Sequence, residues 1–206
     1  MATCSKIIAL HNLDSRQPIH SFTHHRGIVN AISVNHTSKT FKNQDKVIAS
    51  CGQDGKIFLV TADKPDSKLL ENNFYPNYKE KPSALSSCSF SPSSKYIAVG
   101  SVDSAVKVWD LRGQKESKDQ NIYHIKSHMC GVTSLAWIRN LRSDLMGSDI
   151  LGSASSSGDI YLHSNKNGTF HEVMSMKIQE GINCLRVSEG VDYCRMAACT
   201  NGGTLA

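Results

Sequence analysis

Ala105-Val106-Lys107-Val108-Trp109-Asp110-Leu111 decides how the chain is read. Apolar side chains alternate at Val106 and Val108, and the run closes on Trp109-Asp110-Leu111. A period of two puts one face in a core and the other towards a neighbour or water, which is the pattern of a strand. The stretch before it, Tyr96 to Asp103, reads as a second strand ending on an Asp turn. Together the two make a hairpin.

The hairpin recurs. Ile97 to Val106 aligns without a gap over Ile48 to Ile57, over Leu151 to Ile160 and over Met196 to Leu205. Ile8 to Leu13 fits the end of the same frame, in register with Val106 to Leu111. The anchor positions are therefore 8, 57, 106, 160 and 205, at spacings of 49, 49, 54 and 45. A near-constant period of small β units marks a repeat architecture, in which each unit needs a neighbour to bury its faces.

The Trp109-Asp110 ending, the turn Phe90-Ser91-Pro92, and His24-His25-Arg26-Gly27 ahead of an alternating run resemble the WD-repeat family. That resemblance implies an all-β fold, a WD-repeat β-propeller built from four-stranded blades. The expected division is a part-blade over 1–26, blades over 27–82, 83–130 and 131–180, and a part-blade over 181–206. Three blades with all their strands and two part-blades form a partial ring. The expectation is that it belongs to a longer, seven-bladed propeller. Polar insertions interrupt the period at 35–45, 64–81 and 139–148, and the middle one shows strand character only at Leu69-Leu70.

Composition narrows the chemistry. With 206 residues and 39% hydrophobic content, the chain can bury a core of one domain. Its formal charge of +5 comes without a dense Lys/Arg block or basic residues interleaved with aromatics, so nucleic acid is not the expected partner. The seven cysteines lack paired metal spacing and read as free thiols in a reducing compartment. No stretch approaches the roughly 20 apolar residues of a membrane span. The loop cluster His20, His24 and His25 lacks Cys or carboxylate support for a metal. Thr200-Asn201-Gly202-Gly203-Thr204 reads as a hairpin turn rather than a phosphate loop. The sequence thus supplies no catalytic, cofactor-binding or metal residues and no small-molecule site.

The polar residues to follow are structural. In WD-repeats a His near the blade start, a Ser or Thr on the second strand, the turn Asp and the Trp share hydrogen bonds, because each buried polar group needs a partner. The resemblance carries this onto His25 (or His24), Ser50 and Asp54 in the second unit, with Val60 in place of Trp. The third unit has Asp103, Trp109 and Asp110, but Val99 replaces the hydroxyl and no His precedes it. The fourth has His128 and Ser153, with Ser157 at the Asp position and His163 at the Trp position.

Within the WD-repeat class, the Ser101 to Leu111 run, Gly131-Val132-Thr133 and Ser157-Gly158-Asp159-Ile160-Tyr161-Leu162-His163-Ser164 are similar to the branch whose members recruit the γ-tubulin ring complex. A Leu-His-Ser ending in the unit after a Trp-Asp-Leu unit is the most specific part of that likeness. It implies a non-catalytic scaffold that targets the γ-tubulin ring complex to centrosome and spindle for microtubule nucleation. The protein partners would be that complex or other spindle and centrosome components, met in the cytoplasm and on the cytoskeleton. The helical γ-tubulin-binding region of that branch is expected beyond Ala206, which would leave the repeats as the targeting half. The alternative is a WD-repeat adaptor subunit of another complex, in ribosome biogenesis or ubiquitin ligation.

Overall fold

A computed structural model describes residues 6–35, 46–62, 64–73, 83–111, 122–138, 149–166, 169–189, 194–203 and 205. The insertions at 36–45 and 139–148 and the charged stretch 112–121 lie outside the described residues. The described residues form sixteen strands and no α-helix.

Strands β1 (Ile8–His11) and β2 (Pro18–Phe22) make a two-stranded sheet. Next come β3 (Val29–Val34), β4 (Val47–Gly52), β5 (Lys56–Thr61) and β6 (Lys64–Asn73), hydrogen-bonded in that order. The third sheet runs β7 (Leu85–Phe90), β8 (Tyr96–Ser101), β9 (Val106–Asp110) and β10 (Ile122–Ile125). The fourth runs β11 (Val132–Ile138), β12 (Ile150–Ser155), β13 (Asp159–Lys166) and β14 (Thr169–Lys177). A final pair, β15 (Ile182–Glu189) and β16 (Cys194–Thr200), forms its own two-stranded sheet. Every pairing between named strands is antiparallel and joins sequence neighbours, and the first strands of the second to last sheets, β3, β7, β11 and β15, pack side by side. This is a row of propeller blades, and the two part-blades do not join into one sheet.

Two elements are longer than the sequence pattern suggests. The polar stretch after Val60 holds a ten-residue strand, β6, and Pro65 sits inside it. An outermost strand pairs on one side only, so a proline there need not break a ladder bond. β14 extends to Lys177 because its pairing with β13 continues to Asp159.

The ten-residue frame is a backbone fact. Its eighth position adopts positive φ in all four copies: Gly55 at 69°, Ser104 at 76°, Gly158 at 89° and Gly203 at 82°. In each, that residue's N–H bonds back three residues, to Gly52, Ser101, Ser155 and Thr200. The anchors pair in register too, Cys51 with Ile57, Gly100 with Val106, Ala154 with Ile160, and Cys199 with Leu205. Ser104 is the one non-glycine in the series. An L side chain in this region costs about 1–2 kcal/mol, offset in part by the chain entropy a glycine would lose. Ser104→Gly should therefore raise stability by roughly 0.5–1 kcal/mol, read from the urea midpoint.

The cores lie between sheets. Val47, Ala49 and Leu59 of the second sheet meet Leu85, Phe90 and Ile97 of the third. Ala98 and Val108 meet Val132, Leu135 and Trp137 in the next interface. Ala154 and Ile160 meet Ile182 and Leu185 in the last, and Ile8 and Phe22 cover Val29, Ile48 and Val60 in the first. The second, third and fourth sheets each supply two apolar faces, which is why single-faced alternation is weak in β4 and β8, both buried throughout.

Candidate functional site

The inner strands carry a device that repeats in register. Each has a β-bulge at its second residue, between Val29 and Ala31, Leu85 and Ser87, Val132 and Ser134, and Ile182 and Cys184. A bulge leaves its extra residue out of the ladder and re-aims the side chain. The residues so released are Asn30, Ser86, Thr133 and Asn183. Asn30 Nδ2 donates across the sheet boundary to Leu85 O at 2.6 Å, and Ser86 Oγ donates to Val132 O. Thr133 Oγ1 instead donates to Ala154 O within its own sheet, at 3.3 Å.

Further bonds tie neighbouring inner strands. Ser33 Oγ accepts from Phe90 N at 3.0 Å, and Ser87 Oγ accepts from Leu135 N at 3.2 Å. Trp137 Nε1 donates to Ser89 O at 2.9 Å. Side chains thus stitch strands that share no ladder, and satisfy main-chain groups that the inner edges expose. Between β3, β7, β11 and β15 lies a cleft of about 740 Å³, lined by Asn30, Ser33, Ser86, Thr133, Asn183 and Arg186 among others. No described lining residue is a carboxylate. The surface offers neutral donors and acceptors, with one guanidinium.

The second feature is a pair of buried histidine sites. His25 Nδ1 stands 3.0 Å from both carboxylate oxygens of Asp54, and His25 Nε2 lies 2.9 Å from Ser50 Oγ. A carboxylate only accepts, so Nδ1 carries the proton and Nε2 accepts from the Ser50 hydroxyl. Asp54 also accepts from Arg26 N at 2.9 Å and Lys56 N at 3.2 Å. Burial pushes the Asp54 carboxyl up, but the His25 bond and these N–H donors outweigh it and hold the group below the usual carboxylate range. Ser-His-Asp contact of this kind resembles a hydrolase triad, yet Ser50 is only 2% exposed and His25 is buried with it. The network fixes the loop before β3 to β4 and to the β4–β5 turn. His24 takes no part in it and stacks on Phe58 at 5.6 Å.

The fourth sheet repeats the arrangement incompletely. His128 Nε2 and Ser153 Oγ share a 2.7 Å bond, at the same separation of 25 residues as His25 and Ser50. Ser157, where an Asp would stand, is turned to Ser155 and Asp159. His128 Nδ1 is consequently buried with no hydrogen-bond partner among the described residues. His163, at the Trp position, bonds Ser127 Oγ through Nε2 at 2.9 Å and leaves its own Nδ1 in the same state. In the third sheet Asp103 accepts from Ala105 N at 3.4 Å while its own N–H reaches Ser101 Oγ. Trp109 is buried in the interface with the second sheet, and Asp110 stands opposite Tyr96 at the end of β9.

Two participants escaped the sequence reading. Phe58 and Tyr161 each receive a histidine edge-on, at 4.7 Å from His25 and 4.8 Å from His128, both at 84°. They occupy the same place, one residue past the anchor. The third sheet lacks the histidine and has Lys107 there. This co-occurrence of aromatic with histidine was the available signal.

The unpartnered imidazoles have a consequence for acid stability. Burial, and then repulsion from His163, push the His128 imidazole down to about 4 from 6.5. Burial lowers His163 in the same sense. Above pH 6.5 both folded and unfolded chains hold a neutral His128. Between 6.5 and about 4 the unfolded chain binds a proton that the folded one refuses, so stability falls as pH falls. The loss attributable to His128 should be about 2–3 kcal/mol, complete near pH 4. His128→Gln should remove close to one proton from the slope of unfolding free energy against pH over pH 5–6. An unchanged slope would refute the assignment.

Comparison with known protein families matches residues 16–60 and 75–110 to the WD domain, G-beta repeat family. No curated protein matches the chain. The matched stretches take in β2, β3, β4 and β5 as far as Val60, and β7, β8 and β9 to Asp110, so the WD-repeat match falls on the sheets that hold the complete histidine network and Trp109.

Proposed function

We propose that the chain is the targeting element of a protein-interaction scaffold that brings the γ-tubulin ring complex to the centrosome and spindle. The general part of this reading, a WD-repeat scaffold or adaptor, is indicated by the matched repeats. The observation that carries it is the row of inner strands, stitched in register around a cleft of neutral hydrogen-bonding side chains and one guanidinium. Rigid blades with polar rims suit protein contacts. The finer part rests on the likeness of Ser157 to Ser164 to the γ-tubulin-recruiting branch.

A fluorescent fusion of the chain, followed through division, is expected at spindle poles. Proximity labelling from that fusion is expected to recover γ-tubulin ring components or their centrosomal anchors. A fusion that stays diffuse through mitosis overturns the reading. Recovery of ribosome-assembly or ubiquitin-ligase subunits in place of spindle proteins replaces it with the adaptor alternative.

A further inference from the structure

The geometry points to Ser157 as a phosphorylation site, whose phosphate takes the place on the fourth sheet that the Asp54 carboxylate holds on the second. The two turns share one backbone frame. Gly55 N bonds Gly52 O and Gly158 N bonds Ser155 O, each at 3.2 Å, and both glycines have positive φ. Asp54 and Ser157 directly precede them. The histidines match as well: His25 and His128 stand four residues before Val29 and Val132, where β3 and β11 begin.

The surroundings fix where His128 points. Its Nε2 lies 2.7 Å from Ser153 Oγ, as His25 Nε2 lies 2.9 Å from Ser50 Oγ. Its ring meets Tyr161 edge-on at 4.8 Å and 84°, as His25 meets Phe58 at 4.7 Å and 84°. Ser153 pairs with Tyr161, and Ser50 with Phe58, in their ladders. Two contacts on one ladder position give both imidazoles the same placement, with Nδ1 directed at the turn residue. On the second sheet that direction ends on Asp54, both of whose oxygens lie 3.0 Å from His25 Nδ1. On the fourth sheet His128 is 5% exposed, and its Nδ1 has no hydrogen-bond partner among the described residues.

A serine hydroxyl ends one bond short of a carboxylate oxygen, and the oxygens of a phosphate on it end one bond beyond. Phosphoserine brings three acceptor oxygens and a charge of about −1.5 to −2 at neutral pH. One oxygen accepts from His128 Nδ1. A second accepts from Met129 N, at the place from which Arg26 N donates to Asp54 at 2.9 Å. The bond from Ser157 Oγ to Asp159 is lost, and like charge turns the phosphate away from Asp159 towards the histidine. Lys177, 2.6 Å from Asp159, keeps that carboxylate paired. The loop before β11 is then fixed to the β12–β13 turn by a charge that can be added and removed.

Access at this turn does not depend on the neighbouring sheets. The fourth sheet has a sheet packed on either side, and Ser157 is half-buried, as Asp54 is on the second sheet. Asp103, at the same place on the third, is exposed. The group comes from a nucleoside triphosphate on a protein kinase. Ser157 Oγ attacks the γ-phosphorus, and the bond from that phosphorus to the β-phosphate oxygen breaks. The nucleoside diphosphate leaves, and the hydroxyl proton passes to the kinase's catalytic base.

The test has two arms. In the first, the full chain is isolated from interphase and mitotic cells with phosphatases inhibited. Tryptic peptide 143–166, which holds Ser155, Ser156 and Ser157, is then sequenced by fragmentation. A phosphate is expected on Ser157. In the second, Ser157 is made in its phosphorylated form by genetic encoding, and urea unfolding is compared with and without the phosphate in wild type and in His128→Gln. The phosphate should raise the folded-to-unfolded ratio about tenfold in wild type, as one charge-assisted hydrogen bond does, and leave it unchanged in His128→Gln. The comparison is made within each background, so the cost of His128→Gln itself drops out. The Met129 amide gives a reading without a second substitution: its hydrogen exchange should slow about tenfold in the phosphorylated chain. Phosphate confined to Ser155 or Ser156, or absent from 143–166, overturns the proposal. So does a gain that is missing or equal in the two backgrounds, or a Met129 amide that exchanges as before.

Discussion

Trp109→Ala should lower stability by roughly 3–5 kcal/mol, the range for emptying a large aromatic site in a packed core. The indole is 1% exposed, in the interface where the second sheet's Val47, Ala49 and Leu59 meet the third sheet's Leu85, Phe90 and Ile97. It also sits in the middle of its ladder, opposite Ile97 on one side and Ile122 on the other. Trp109→Phe keeps most of the buried ring and should cost roughly 1–2 kcal/mol. Because blades hold together mainly through neighbour interfaces, the alanine variant should also uncouple the second sheet from the third. The chain has two tryptophans, so this variant keeps only Trp137, in the interface of the third and fourth sheets. Its fluorescence should then report a transition that no longer coincides with loss of β signal in circular dichroism. Equal damage from Phe and Ala would mean that the indole N–H, not packing, holds the interface.

The repeat was legible because two local signals coincide at each copy. Alternation runs into the anchor strand, and a turn residue suited to positive φ precedes it by two positions, as at Gly55 and Gly158. Both act over a few residues, and a frame comparison finds them even where Ser104 replaces glycine. The stitching was not legible. Asn30, Ser86 and Ser134 read as ordinary polar positions of half-buried strands. Their partners, Leu85 O, Val132 O and Leu185 O, are main-chain atoms 46 to 55 residues away that every sequence possesses. The bulges behind them leave no composition mark either. β6 was only half visible, since Lys64–Asn73 has no alternation and takes its strand from pairing with β5.

The histidine sites fall between these cases. A His, a hydroxyl and an Asp at the frame positions pointed to His25, Ser50 and Asp54, and the structure places them in contact. The frame could not say whether His24 or His25 enters. That is settled by orientation: His25 meets Phe58 with its ring edge, while His24 lies over the same ring. Nor could it say what Ser157 does in place of Asp. The shorter hydroxyl turns to Asp159, whose carboxylate also takes the Lys177 ammonium at 2.6 Å, and His128 is left with one bond where His25 has two.

Gly158→Ala should be the most damaging of the turn substitutions, at about 3 kcal/mol or more. Two separate costs meet there. The residue has φ of 89°, where an L side chain costs about 1–2 kcal/mol. A Cβ built on it would also lie 2.1 Å from Ile178 O and 2.7 Å from Glu180 O. Both are main-chain atoms, so no rotamer change relieves the contact, and overpacking against a fixed neighbour typically costs a further 1–3 kcal/mol or so. Movement is resisted because Ile178 N donates to Gly158 O at 2.9 Å and the Ile178 side chain packs on the core of the fourth and last sheets. Gly203 supplies the control within the same molecule. It has φ of 82° at the same frame position, and a Cβ there meets nothing within 4 Å. Gly203→Ala should cost only the backbone part, about 1–2 kcal/mol. Urea midpoints of the two variants separate the terms. If they fall equally, the close approach to Ile178 O is not a constraint on the turn. A larger loss at Gly158 means that the end of β14 is clamped onto the β12–β13 turn, so that the outer strand and the frame turn resist displacement together.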